Sequence, residues 1–539
     1  MIFSKPLFLL VVFIFLSISH IQGQRQKAFL KVKITEENNE KPTPVRVKIK
    51  DANGNVTALP KEVISIMYGR DDKPERYGYQ PDESFYVDGL FNIELEEGKY
   101  EIKLSKGVEY LDQTLELVLL KGEEKEVNIE MKRWVNMPDL GWYSADDHIH
   151  IRRSPRENPL ILKWIEAEGL NVGVMLQMGD IWTTYFSQYS FGKEGVYKEN
   201  ESLLTSGQEE PRTHEIGHTI AMLTDEFYRE RNSYYYYDKY FDEIHKLNGI
   251  MGYAHQGMSF NGSRGMTMDV LDDKVDFLEL LQFCVDGGPL LTQNYYHYLD
   301  LGYKLIATAG SDFPWCGNGP RFGTEAPSWN ARIGNVRFYT NIDKEFNYKT
   351  WEENLKAGHT FVTSGPMLLF KVNDQLPGEE INLKKKGKVS IKAEAFGHEQ
   401  QVPLSKLEIV AHGKVIKEIG PDELNQSAEH LTLNFDLNIE KGIWIAARCY
   451  AGPSQVAHTT PVYISVNNKG FYNDATLHKY LKLNEKYLNE LEEELEKPSD
   501  HMNQRAWWYK KGLKERIERT RAIINSLKEK GTTTNLMGN

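Results

Sequence analysis

Tyr143-Ser-Ala-Asp-Asp-His-Ile-His-Ile151 is the stretch on which the reading of this chain turns. Side chains alternate across a β-strand, so Asp146, His148 and His150 fall on one face while Ile149 and Ile151 fall on the other. An apolar reverse face suits a strand buried on that side, which turns the two imidazoles toward a cavity where they can grip one metal ion. A His-x-His pair also occurs as two hydrogen-bonded structural histidines, so the rest of the chain has to decide.

Working outward, further candidate ligands recur at strand boundaries. Glu209 lies in Ser206-Gly-Gln-Glu-Glu-Pro, His218 opens Gly217-His-Thr-Ile-Ala-Met-Leu, His255 follows Ile250-Met-Gly-Tyr-Ala, and Asp312 follows Leu305-Ile-Ala-Thr-Ala-Gly-Ser. Barrel active sites gather residues from the ends of several strands in this way. Residues 138–365 alternate apolar strand-like runs with helical stretches. Strands are expected over Asn171–Leu176, Thr219–Leu223, Ile250–Ala254, Phe277–Leu281 and Lys304–Ala309, with helices at Pro159–Glu168 and Asp238–Lys246. Carboxylates mixed with imidazoles suit zinc, manganese or iron. The three cysteines, Cys284, Cys316 and Cys449, are odd in number and widely spaced, which excludes a disulfide framework and a cysteine zinc cluster.

On either side the texture is different. Residues 28–133 and 366–466 each read as short alternating strands separated by turns, two β-sandwiches, the first patterned like the accessory domain beside carboxypeptidases. Residues 473–530 read as a helical hairpin, with Leu477, Leu481, Leu488, Leu491 and Leu495 on one face and Leu513, Ile517, Ile524 and Leu527 on another. Pro498-Ser-Asp breaks it. The hairpin serves either as an oligomer contact or, as favoured here, as packing against the chain's own domains. Residues 1–23 have the layout of a secretory signal peptide: Lys5, an apolar run from Leu7 to Leu16, then small and polar residues, with cleavage near Gly23. The expected location is therefore secreted or periplasmic, without a stable membrane anchor. At 539 residues, two to four separately cored units are expected. The net charge of −12 is spread along the chain, which argues against nucleic acid as a partner.

In combination and in order, Gly141-Trp-Tyr-Ser-Ala-Asp-Asp-His-Ile-His, Gly207-Gln-Glu with Gly217-His, Ala254-His, Ala309-Gly-Ser-Asp, Gly334-Asn-Val-Arg-Phe-Tyr and Ala357-Gly-His-Thr-Phe-Val-Thr-Ser-Gly-Pro resemble the PHP metallohydrolases, within them the CehA/McbA branch that includes carbaryl hydrolase. The resemblance spans roughly Gly141 to Gly378. It implies a multidomain chain with a distorted (β/α)7 barrel flanked by the two sandwiches and the hairpin. It also implies that His148, His150 and Asp312 hold one metal, that His218 and His255 hold a second, and that Glu209 bridges them. Three departures touch third-metal positions. Arg152-Arg-Ser-Pro-Arg replaces an expected acid, Met178-Gly-Asp180 stands where the family has Thr-Asp-His, and Asp312-Phe-Pro stands where it has Asp-x-His. Two ions, or even one, are expected instead of three.

The expected chemistry is attack by a metal-bound hydroxide on an ester, carbamate or phosphoester, in a small-molecule or glycan-linked substrate. A PHP-type phosphodiesterase and a non-catalytic glycan-binding surface protein with a decayed barrel are the alternatives. Glu209 and Asp146, the latter orienting a ligand, are placed in the catalytic set, with Asp180, His214, Asp276 and Glu279 as candidate proton donors. Arg152, Arg153 and Arg337 are candidates for binding an anionic substrate group. The run Ser233-Tyr-Tyr-Tyr-Tyr-Asp and Trp315 either line a pocket or, for the tyrosines, pack as a helix face.

Overall fold

The structure is a computed structural model that describes residues 27–67, 78–80, 82–255, 261–282, 290–314, 331–421, 428–496 and 506–536. The proposed signal peptide, Trp315, Cys284, Cys316 and the break at Pro498 lie outside them.

Alternation builds the N-terminal sandwich. Ala28–Glu36 and Gly98–Ser105 each turn every second residue inward. Two four-stranded sheets enclose Leu30, Val32, Val47, Phe85, Phe91 and Ile102 as a common core. The unit is fastened to the next by a buried carboxylate, Glu168, which accepts from the Tyr86 hydroxyl at 2.6 Å and faces Arg46 Nε at 3.3 Å.

The middle of the chain loses alternation, because its strands are covered on both faces. Seven strands follow one another: β1 (Trp142–Ile149), β2 (Val172–Gly179), β3 (Ser202–Glu209), β4 (Gly217–Met222), β5 (Ile250–Tyr253), β6 (Phe277–Gln282) and β7 (Ile306–Gly310). Neighbours pair in sequence order, and the curl brings the chain after β7 back to the end of β1. There Ile149 bridges Phe313, and His150 N donates to Phe313 O at 2.7 Å. The regular strand–helix alternation expected from the resemblance is only partly present. Helices α1 (Asn158–Ala167), α2 (Tyr237–Lys246), α3 (Gly262–Leu271) and α4 (Gln293–Asp300) fill four connections, and β4 runs antiparallel to both neighbours. The reason is length: residues 210–216 between β3 and β4 are too few for the crossover that a parallel strand requires.

The C-terminal sandwich corrects the expected boundary at residue 366. One of its layers is the three-stranded sheet of Met367–Val372, Gly387–Phe396 and His430–Ile439, packed through Phe370, Val389 and Ile391 onto Leu407, Ile409 and Ala447. The other layer is no separate sheet. Strand β8 (Arg337–Asn341) pairs with β1, β9 (Thr360–Thr363) pairs with β8, and β9 pairs with Gln455–Thr459, with Phe361 opposite Thr459. A single curled sheet thus runs from β7 through β1 to Lys414–Ile419.

Helices α5 (Leu477–Glu496) and α6 (Ala506–Leu536) form the expected hairpin. Leu481, Leu488, Leu491, Leu513 and Ile517 join the core that also contains Met266, Tyr253 and Leu278. Full burial contributes about 1.5–3 kcal/mol per leucine, so this face is committed to the chain's own core. Thr267 Oγ1 donates to Asn484 Oδ1 at 3.2 Å, and buried Arg516 pairs with Asp269 and Asp238. Among the described residues no helix is long and apolar enough to cross a membrane.

Candidate metal centre

The ends of β1, β3, β4 and β5, with the turn after β7, bring His148, His150, Glu209, His218, His255 and Asp312 together in the interior. Two of these residues have positive φ, His255 at 48° and Asp312 at 55°. Such conformations are strained for non-glycine residues and cluster at functional sites. Gly310 is required by close approach: a Cβ there would lie 2.3 Å from Asp147 Oδ1 and 2.4 Å from His148 Cβ.

Three imidazoles are oriented from behind. His148 Nδ1 lies 2.8 Å from Glu279 Oε1, His255 Nδ1 lies 2.7 Å from Gln282 Oε1, and His150 Nδ1 lies 3.4 Å from Leu176 O. Each of these partners accepts, so each Nδ1 carries a proton and each Nε2 is turned forward, where its deprotonated form offers a lone pair to an ion. The second Glu279 oxygen takes the backbone N–H of His255 at 3.0 Å, tying two ligand-bearing segments to one carboxylate.

The forward-facing atoms have the spacing of ligands around an ion. His148 Nε2 and His150 Nε2 both lie 3.3 Å from Asp312 Oδ1, and His150 Nε2 lies 3.4 Å from Glu209 Oε2. Ligands about 2.0–2.1 Å from one tetrahedral ion lie about 3.3 Å apart. Both nitrogens are buried and neither completes a hydrogen bond, although such groups are ordinarily satisfied. The residues therefore fit a metal ion. A second set is looser: His255 Nε2 lies 3.7 Å from both Glu209 Oε1 and Asp312 Oδ2. Asp312, expected on one ion alone, thus spans both sets as Glu209 does. His218 Nδ1 is 2.7 Å from Glu209 Oε1, a hydrogen-bond distance, and His218 also groups with Glu209 and His255 as a set that could hold an ion.

The electrostatics follow from this crowding. Burial works against charge on His148, but Glu279 and then Asp312 hold its pKa well above the usual imidazole value. Burial opposes charge on Glu209 too, yet Arg212 and His218 hold it well below the carboxylate range. Burial pushes His218 down to about 4. Burial, reinforced by Glu279, drives Asp147 well above its ordinary value, and burial lifts Glu210 to about 7.

Other expected site residues have different roles. Asp146 accepts the backbone N–H groups of His148 and Ser311, both at 3.0 Å, and of Gly334 at 2.7 Å, so it pins three segments and does not face the ligand set. Asp180 caps its own turn through Trp182 N and Thr183 N. Asp276 accepts from Met251 N and His245, and His214 is exposed on the turn before β4. Glu279 stands behind two histidines and not in front of them. Arg337 cannot meet a substrate, because its guanidinium is buried on the carbonyls of Gly334, Gly169 and Glu168. Arg153 is likewise buried, on Gln188, Gly195 and Ser206, and Arg152 turns to Met67. The tyrosine run is a packed face: Tyr234, Tyr235 and Tyr237 are buried in the main core.

Sequence reasoning missed Gln282, the backing role of Glu279, and Arg212. The first two carried a signal, two polar residues in the otherwise apolar strand Phe277-Leu-Glu-Leu-Leu-Gln. Arg212, whose Nε lies 3.6 Å from Glu209 Oε2, carried none beyond its nearness in sequence.

The centre so defined is a buried histidine–carboxylate cluster able to hold a metal ion. No family model matches the chain, and no curated protein matches it. Among solved structures it is similar to a minor pilin of Streptococcus agalactiae, at 16% identity and a TM-score of 0.16, over 21% of this chain and 47% of the pilin. It is also similar to fibronectin(III)-like modules of Clostridium thermocellum, at 17% identity and a TM-score of 0.13, over 18% of this chain and 96% of theirs. A Bacteroides uniformis β-glucuronidase aligns at 10% identity and a TM-score of 0.16, over 81% of this chain and 58% of the enzyme.

Proposed function

We propose that this chain is a secreted or periplasmic metal-dependent hydrolase of the PHP type, with the seven-strand unit as its barrel and two divalent ions, zinc, manganese or iron, held between Glu209 and Asp312. The observation that carries the reading is the pair of buried, unsatisfied nitrogens, His148 Nε2 and His150 Nε2, at ligand spacing from two carboxylates. Divalent ions held there would acidify a water molecule and neutralise charge building on an ester, carbamate or phosphoester.

The chain's own groups supply the rest. His148, His150 and His255 fix the ligand positions, and Glu279 and Gln282 fix the orientation of two of the rings. Glu209 and Asp312 each turn one oxygen toward either set, which holds the two sets at a common separation. His218, bonded to Glu209 Oε1 through Nδ1, braces the carboxylate shared by the two sets.

The test is elemental analysis of the purified mature protein beside Glu209→Ala. Two divalent transition metals per chain, lost in the variant, support the hydrolase and justify a substrate screen. A folded wild type that stays metal-free under metal-replete conditions overturns it and turns attention to glycan binding on the sandwich surfaces.

A further inference from the structure

Trp182 stands where a folded chain seldom leaves a tryptophan. Trp142, Trp164, Trp351 and Trp444 are buried, whereas Trp182 is 59% exposed. It sits at the tip of a hairpin that begins where β2 ends: Met178 and Gly179 pair with Tyr185 and Thr184, and Asp180 N–H donates to Thr183 O at 2.9 Å across the turn. Met178 is also in register with Glu209 on β3, and Phe186, at the far foot of the hairpin, has its ring 5.3 Å from that of His150. The hairpin therefore rises from the level of the metal centre, and at about 3.3 Å per residue its tip stands about 10 Å beyond Glu209.

The ring is held in place. Asp180 Oδ1 accepts the backbone N–H groups of Trp182 at 2.7 Å and Thr183 at 2.9 Å, and the Arg231 guanidinium lies 5.1 Å from the indole centroid. Arg229, two residues before it, donates to Thr184 Oγ1 at 2.8 Å and pairs with Glu210, the neighbour of Glu209. A cation over one face leaves much of the ring as a fixed apolar plate, flanked by the polar side chains of Asp180, Thr183 and Arg231. A pyranose ring has the matching form, a face of C–H groups to lie on the plate and hydroxyls at its edge for the polar groups around it. An aryl group would instead call for the apolar enclosure of a closed ligand pocket.

We infer that Trp182 is a stacking platform for a sugar ring at the rim of the metal centre, and that the chain acts on carbohydrates that carry the scissile ester, carbamate or phosphoester. The inference rests on the metal-dependent reading above and narrows its substrate class.

The probe is an array of plant, microbial and animal oligosaccharides, read with the metal-loaded full-length mature chain, with metal content and Tm measured on the same samples. Wild type is expected to bind at least one of these glycans. Trp182→Ala is expected to keep its fold and its metal, and to bind the same glycan at least about 10-fold more weakly in calorimetric titration. Trp182→Phe, which keeps a flat ring, should fall between. No glycan bound by metal-loaded wild type, or equal affinity in wild type and Trp182→Ala, overturns the assignment while leaving the metal centre standing. Metal loss in both folded variants also overturns it, because the hairpin would then be a support for His150. A folded, metal-free wild type overturns the metal-dependent reading and the substrate claim together.

Discussion

Among the described residues, buried carboxylates meet histidines both at Asp300 and at Asp312, and the two are treated in opposite ways. Asp300, at the end of α4, accepts from Trp444 Nε1 at 2.7 Å, His412 Nδ1 at 3.0 Å, Asn473 Nδ2 at 3.0 Å and Thr476 Oγ1 at 2.8 Å. Every lone pair is answered, and the donors come from the C-terminal sandwich and from the lead into the hairpin. Around Asp312 the histidines turn their Nε2 atoms toward carboxylates, and two of those nitrogens complete no hydrogen bond. A buried polar group costs free energy unless it is satisfied. The first cluster is therefore complete as a joint. The second leaves two buried nitrogens unsatisfied, and its groups could hold a cation.

The sharpest way to break this contrast is His150→Ala. It should abolish metal binding and lower hydrolysis by more than about 1000-fold, beyond what loss of an outer-shell partner costs, while the metal-free protein stays folded; metal titration and thermal melts together decide it. Asp300→Ala should do the reverse. It strands four donors and lowers stability by about 3 kcal/mol in denaturant unfolding, with metal content unchanged; a loss of metal would show that the two clusters are one system.

Glu279→Gln keeps the shape and removes the charge behind His148, so competition with a chelator should report metal affinity about 10–100-fold weaker. The smallest effect concerns pH. His148 and His255 have raised folded pKa values in the metal-free protein, so the stability they contribute is present below the ordinary imidazole value, about 6.5, and is lost as pH climbs through their folded values. Metal-free protein should thus lose about 1 kcal/mol, a fall in Tm of about 2 °C, between neutral and alkaline pH. Metal-loaded protein should not, because metal binding displaces those protons.

Much of this contrast was legible in the sequence on one side and almost none on the other. The His-x-His stretch and the further histidines at strand ends pointed to the candidate centre, and the expected strands at Ile250–Ala254 and Phe277–Leu281 match β5 and β6 to within a residue. The helical faces of the hairpin were equally plain. What the sequence could not convey is what answers each polar group. Arg337 looks like an anion binder until folding sets Gly334, Gly169 and Glu168 carbonyls around it. Asp146 looks like a partner for the neighbouring histidines until Ser311 and Gly334 amides arrive from far along the chain. Backbone donors and acceptors carry no residue signature. The reversal of β4 was readable in principle from the short 210–216 connection but was outweighed by the expectation of regular alternation.

The pairing of β9 with Gln455–Thr459 has a consequence for how this chain can be cut or recombined. Truncation after residue 365 would strip β9 of its neighbour and present an open, apolar strand edge to solvent, a template for self-association. A fragment lacking the last sandwich should therefore precipitate, and the C-terminal third should not behave as a cassette that evolution or an engineer can transplant. Its inheritance is bound to that of the metal centre by a row of main-chain hydrogen bonds.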